Sequence, residues 1–186
     1  KGVRVVSSTD ARVEIAWGAP VQVLAVKPQQ LEKTRKSALR FESRQESRPL
    51  LVSILAGITL EILQKSFPYH VCVRAVPNTP SLVGEGLTGL AWGKDITSDQ
   101  KLKVKRLFNP ISEIFELPEH QLDSFLALTS SGPAYIALMV EAMADGAVAA
   151  GLSRELSNKL VHKTFSGTAS LLSQRGLHPA ELKDMV

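Results

Sequence analysis

Val71-Cys-Val-Arg-Ala-Val-Pro-Asn-Thr-Pro80 decides the fold, because a short apolar run there ends abruptly in two prolines. A continuous run of this length, rather than an alternating one, marks a strand covered on both faces. Proline cannot extend a central strand, so Pro77 sends the chain out of the sheet at the strand's carboxyl end. Val21-Gln-Val-Leu-Ala-Val26 repeats the pattern into Lys27-Pro28, and Leu50 to Leu55 ends at Ala56-Gly57. Strand-like and helix-like pieces alternate around these runs, from Val3 to Val6 and Ala11 to Ala16 to the helical Thr59-Leu-Glu-Ile-Leu-Gln-Lys65. Such alternation predicts an α/β domain with a parallel sheet covered by helices on both faces. Ligands of open parallel sheets sit beyond the carboxyl ends of the strands. The turns after Val26, Leu55 and Val76 are therefore where a ligand is expected.

Downstream, Leu87-Thr-Gly-Leu-Ala-Trp92 predicts a further strand, Ser98 to Phe108 a helix, and Glu113 to Leu117 a short strand. From Leu122 onward the chain reads as helix throughout. One helix opens at Ser131-Gly-Pro-Ala-Tyr135 and closes before Gly151, a second runs from Ser153 to about Leu172, and a third starts at His178-Pro179. Proline just inside a start and glycine just past an end follow the usual asymmetry of helix termini. Two domains are expected, 1–118 and 119–186. The helix from Pro133 to Ala150 is apolar on nearly every side, with only Glu141 and Asp145 charged, and so asks to be buried. A small helical domain cannot cover it alone, which makes a second copy the expected cover. Pro133 to Leu172 is the expected contact, with Ala137, Met139 and Ala144 as candidates to face the partner.

Composition narrows the function. Of 186 residues, 44% are hydrophobic and only 5% aromatic, which supports a real core but no aromatic platform for nucleic acid. The net charge of +4 is spread over a solvated stretch from Lys33 to Arg48 that includes Glu42 and Glu46, and over Lys101, Lys103, Lys105 and Arg106 on the wet side of a helix. No nucleic-acid partner is expected. A single cysteine, Cys72, allows neither a disulfide framework nor a cysteine zinc site, and points to a reducing, cytoplasmic setting. Charge, Gly or Pro interrupts every stretch of about 18 residues, so no membrane association is expected.

Each motif has an ordinary reading beside a functional one. Ala25-Val-Lys-Pro28 is a strand end where backbone could approach a phosphate or ribose, or simply a proline-terminated strand with a surface lysine. Pro77-Asn-Thr-Pro80 is a ligand loop or a rigid connection. Ser130-Ser131-Gly132-Pro133 caps a helix or binds an anion there. Glu141 and Asp145, four apart, have no histidine at matching spacing, so a metal is not expected. His162 reads as a surface or interface residue, and His178 as a helix cap. No G-x-G-x-x-G occurs.

Six segments together resemble one family. Ala25-Val-Lys-Pro28, Ala56-Gly-Ile-Thr59, Arg74 to Pro80 with Val83-Gly-Glu-Gly86, Leu128 to Tyr135, Glu141 to Gly146 and His178 to Val186 stand in the order and spacing of pyrroline-5-carboxylate reductases. The resemblance implies an incomplete Rossmann-type sheet domain followed by an all-helical oligomerisation domain. It implies NADPH or NADH as cofactor, and hydride transfer to the C=N bond of 1-pyrroline-5-carboxylate to give L-proline in proline biosynthesis. A homodimer or larger homo-oligomer is implied too.

Carried over residue by residue, Ala25, Val26, Lys27, Pro28, Ile54, Leu55, Ala56, Asn78 and Met185 match cofactor-lining positions, and Glu119 matches a position close to the substrate. No catalytic residue is assigned. Family members normally begin with a strand and Gly-rich turn ahead of the equivalent of Lys1 and continue past Val186 into a Ser/Thr- and Gly-rich loop, so the expectation is a truncated chain lacking both. Thr129-Ser130 stands where Ser-Gly is usual. Two alternatives remain: a non-catalytic oligomerising subunit, and a Rossmann-type hydroxy-acid dehydrogenase, whose helix-borne lysine with a nearby Asn is not matched by Lys159 or Lys163.

Overall fold

A computed structural model describes residues 5–7, 10, 13–40 and 48–186. Two compact units divide between Ser130 and Ser131. Of the strand expected at 3–6, the first half lies outside the described residues, and Val5 and Val6 are not in a strand. Residues 11–12 of the next expected piece and 41–47 of the charged stretch also lie outside.

The first unit holds a five-stranded sheet in the order β1 (Val21–Leu24), β2 (Leu50–Ser53), β3 (Val71–Pro77), β4 (Gly86–Trp92) and β5 (Ser112–Glu116). Around it stand α1 (Val13–Trp17), α2 (Leu31–Ala38), α3 (Leu60–Ser66), α4 (Ser98–Phe108) and α5 (Leu122–Thr129). Alternate residues of β3 feed opposite faces, as the period of a strand requires. Val71, Val73 and Ala75 pack with Leu50, Val52, Leu90 and the α4 residues Val104 and Phe108. Cys72 packs on the other face with Leu24, Leu51, Leu55, Leu63 and Phe67, and Val76 with Ala91 and Leu122 of α5. Burying such side chains is worth about 1.5–3 kcal/mol each, so β3 anchors the unit.

The sheet is not parallel throughout. β1, β2 and β3 are parallel, but β4 runs antiparallel to β3, and β5 is parallel to β4. Only residues 78–85 separate β3 from β4, too few for the roughly dozen that a parallel crossover needs, so the chain must return beside itself. A 3₁₀ turn at Thr79–Val83, closed by Gly84 at φ 78°, makes that return. α5 lies close against β4: a Cβ on Gly89 would come within 2.9 Å of Leu122 and Phe125 side-chain carbons.

The second unit contains α6 (Gly132–Ala149), α7 (Arg154–Arg175) and α8 (Pro179–Met185). α6 packs on α7, with Asp145 and Arg154 paired at 2.6 Å. Ser131 is helical and makes no side-chain cap, so the expected serine cap of α6 is not formed. Ser153 and His178 do cap α7 and α8, the latter through Nδ1, which accepts from Ala180 N at 3.2 Å. Within the unit Ala144, Ser157 and Val161 are buried, while Tyr135, Ile136, Leu138, Met139 and Met143 stand exposed. Of the residues expected to face a partner, Ala137 and Met139 are exposed, but Ala144 is only 2% exposed and belongs to the unit's interior. By length and composition alone, the run Glu119–Ala149 contains an 18-residue window of mean hydropathy 1.3, which reaches what a membrane crossing requires.

Candidate functional site

The three parallel strands bring their carboxyl ends to one edge. Leu24, Ser53 and Arg74 are register partners across β1, β2 and β3, so the turns after β1 and β2 emerge side by side, while β3 runs on through Ala75, Val76 and Pro77 before Asn78. Parallel pairing of consecutive strands thus brings Ala25–Pro28, Ile54–Ala56 and Asn78, distant in sequence, to the carboxyl-end edge of the sheet. This is the edge at which open α/β sheets hold ligands.

The side chains along it differ in what they can offer. Ala25, Lys27 and Pro28 are exposed, Val26 is half-buried, and Pro28 starts a 3₁₀ turn that takes the chain away from the sheet. Ile54 and Ala56 are exposed, whereas the Leu55 side chain is packed into the core at 2% exposure and presents only its backbone. Gly57 follows at φ 72° with nothing within 4 Å of where a Cβ would stand. The edge is therefore small, aliphatic and open, with Lys27 as its cation.

Asn78 is occupied. Its Nδ2 donates to the Thr129 carbonyl at 2.9 Å, and its Oδ1 accepts from Leu87 N at 2.8 Å. The side chain thus braces the start of β4 and the end of α5, two segments that its neighbours in sequence do not reveal. Glu119 begins a 3₁₀ turn, Glu119–Gln121, ahead of α5. Its Oε1 accepts from Leu60 N at 2.6 Å and lies 3.5 Å from Arg74 Nη1. Met185 ends α8 in the second unit at 68% exposure.

Sequence reasoning missed Arg74. Its side chain is 2% exposed on the β3 face between Cys72 and Val76, and Nη2 donates to Asp123 Oδ1 at 2.8 Å. The signal was an ionisable residue inside an otherwise apolar buried strand, which demands a partner of opposite charge. Also missed was His70, whose Nε2 is 3.1 Å from Gln22 Oε1. Gln22 Nε2 donates to the Trp17 and Ala19 carbonyls, which leaves Oε1 as acceptor and puts the imidazole proton on Nε2. Burial, with the Arg48 charge adding to it, pushes the His70 pKa down to about 4. Burial also drives the Cys72 thiol up to about 12, which removes it as a nucleophile.

A concavity of about 570 Å³ runs beside α3 and is lined by Leu60, Gln64, Lys65, Trp92, Lys94 and Glu119. Glu61 on its wall is held below the usual carboxylate range by its hydrogen bond to Lys65 and that lysine's charge. Only Glu119 is shared with the residues expected at the site.

Comparison with known proteins decides the family. Residues 119–186 match the family described as pyrroline-5-carboxylate reductase dimerisation. A pyrroline-5-carboxylate reductase of Synechocystis sp. is 44% identical over 93% of this chain and 63% of its own length. One from Methanosarcina acetivorans is 36% identical over the whole of this chain and 67% of its own length. The chain belongs to the pyrroline-5-carboxylate reductase family. A crystal structure of the Plasmodium falciparum pyrroline carboxylate reductase with NADP bound superposes with a TM-score of 0.79 at 33% identity, covering 89% of this chain and 65% of that one. This reductase-family chain spans less than two thirds of the length of the Synechocystis relative. The Rossmann-like sheet and the helical second unit are the family's architecture, so the expected fold class stands, with β4 reversed.

Proposed function

We propose that this chain carries out, within its complete protein, the reduction of 1-pyrroline-5-carboxylate to L-proline with a reduced nicotinamide dinucleotide, NADPH or NADH. The observation that carries the reading is the alignment of the Ala25–Pro28, Ile54–Ala56 and Asn78 turns at one sheet edge. Family membership supports it, as does the NADP bound in the Plasmodium falciparum relative.

The residues present fit such a cofactor. Ala25 and Ala56 leave the backbone approachable, Gly57 has open space above it, and Lys27 offers a cation to a phosphate. When bound, the dinucleotide supplies the hydride. The chain's part is to hold the reduced ring in register with the imine carbon and to keep the turns rigid while it does so. Asn78 contributes through its braced turn.

The partner is proposed to be a second copy, through the exposed apolar face of α6. Glu141, Asp145 with its Arg154 partner, and the Gly132-Pro133 break suit a protein contact better than a lipid one. The lone buried thiol accords with a cytoplasmic setting.

Reduced-nicotinamide oxidation by the full-length protein, followed with and without 1-pyrroline-5-carboxylate and with proline identified as product, tests the reading. Oxidation that is indifferent to that substrate overturns it.

A further inference from the structure

Pro133 withholds a hydrogen bond that a side chain from the sheet edge replaces. Between α5 and α6 the backbone keeps helical dihedrals: Ser130 has φ −94° and ψ −33°, Ser131 has φ −86° and ψ −30°, and Gly132 and Pro133 are the first two residues of α6. In an unbroken helix the amide of residue 133 would close on the carbonyl of Thr129, four positions back. Proline has no such hydrogen, and its ring crowds that carbonyl besides. Ser130 N still closes on Leu126 O at 2.9 Å, whereas Ala134 N turns to Ser131 O at 3.0 Å. Thr129 is buried, so its carbonyl calls for a donor from the protein.

Asn78 supplies one. Its Nδ2 donates to Thr129 O at 2.9 Å while Oδ1 accepts from Leu87 N at 2.8 Å, so one amide joins the end of β3 to β4 and to the last residue of α5. An asparagine ahead of a turn commonly bonds to its own turn. Here the backbone is extended, at φ −123° and ψ 169°, and the side chain makes no such cap. The turn that follows, Thr79–Val83, buries none of its residues, and Leu82 and Val83 are almost wholly exposed. Its hydrogen bonds from Ser81 N to Asn78 O and from Gly84 N to Ser81 O stay within the turn and its ends. The turn after β2 has Leu55 to root it in the core, but this one has no buried apolar side chain of its own. The Asn78 amide ties it to α5, one residue before the first unit ends at Ser130.

We propose that Asn78 is a positioning residue, whose amide stands in for the hydrogen that Pro133 lacks and thereby holds the turn after β3 in the alignment that hydride transfer requires. The proposal rests on the functional reading above, in which this turn lies at the cofactor edge. Dinucleotide affinity is shared with the Ala25–Pro28 and Ile54–Ala56 turns, so a loosened tie at Asn78 shows in turnover more than in binding. Misplacing a reacting group by about 1 Å can cost about 100-fold in rate.

The test uses the full-length protein and two substitutions that act on one carbonyl from opposite sides. Asn78→Asp keeps an oxygen for Leu87 N and removes the donor to Thr129. It is expected to lower kcat about 10- to 100-fold, with the NADPH dissociation constant little changed. Pro133→Ala restores an amide at position 133. Added to Asn78→Asp, it supplies the missing donor and should recover most of the lost kcat. Alone, it competes with Asn78 Nδ2 for the carbonyl, so the Asn78 side-chain amide should exchange faster with solvent and kcat should fall severalfold. This variant, which puts a strong helix former in place of proline, decides the matter should Asn78→Asp not fold: amide exchange and kcat both equal to wild type would overturn the proposal. So would an Asn78→Asp protein that Pro133→Ala fails to rescue, or one with a lowered melting temperature and an unchanged kcat. A wild type that oxidises no NADPH with 1-pyrroline-5-carboxylate removes the functional reading and this proposal together, whereas an active wild type with an unimpaired Asn78→Asp variant removes this proposal alone.

Discussion

Replacing Leu138 by Arg should dissociate the assembly without unfolding the subunit. Leu138 lies on α6 and is 65% exposed within the chain, as are, to similar degrees, Tyr135 at 62% and Met139 at 57%. Full burial of a leucine is worth about 1.5–3 kcal/mol, so covering the exposed two thirds contributes about 1–2 kcal/mol per copy. A two-fold interface carries the substitution twice, giving about 2–4 kcal/mol, or roughly a 30- to 1000-fold rise in the dimer dissociation constant. An unpaired guanidinium in the contact adds to that loss. Sedimentation velocity across a concentration series, with circular dichroism to verify helix content, measures both halves of the prediction. Ala144 would be a poor probe, because it is packed inside the unit and an arginine there attacks the fold itself. The reasoning is refuted by a Leu138→Arg protein that remains dimeric at wild-type concentrations, or by a wild type that is a folded monomer at micromolar concentration.

Three further outcomes follow from the first unit. His70 is neutral when folded down to about pH 4, whereas an unfolded histidine takes up its proton near 6.5. The unfolded state therefore binds more protons between those values, so stability should fall as pH drops from about 6.5 to 4, by about 2–3 kcal/mol in total. Urea unfolding of wild type and His70→Gln across that window measures it, and identical slopes for the two would contradict the assignment. Gly93→Ala would put a Cβ 2.3 Å from the Cys72 carbonyl, which also accepts from Gly93 N at 3.0 Å, so neither backbone can yield cheaply. A loss of about 3 kcal/mol is expected, and an unchanged urea midpoint would show that the strand end has room to move. Asn78→Ala removes two backbone contacts and should cost about 2 kcal/mol of stability; a change in NADPH affinity with no loss of stability would instead mark its side chain as a direct ligand.

What the sequence made legible is what depends on neighbours. α4 spans Ser98–Phe108, the stretch read as a helix from the sequence, and Thr97 and Gln100 fix its start with a reciprocal cap three residues apart. The edge turns were legible because proline and glycine punctuate strand ends locally. The reversal of β4 was present in the brevity of residues 78–85, but an apolar run carries no direction of its own. The site's polar fastenings were not legible, since they join Asn78 to Thr129, Leu60 to Glu119, and Arg74 to Asp123, each some fifty residues or more apart. Local periodicity cannot register such pairs. Asn78 consequently read as a group available to a ligand, when its amide is engaged by the fold.

Amide hydrogen exchange of the full-length protein with and without NADPH tests the central claim most directly. The account predicts added protection together at Ala25–Lys27, Ile54–Ala56 and Asn78, the three turns that the parallel strands bring to one edge. Protection confined to the groove beside α3, at Glu61 to Lys65 and Trp92 to Lys94, with the three turns unchanged, would contradict it.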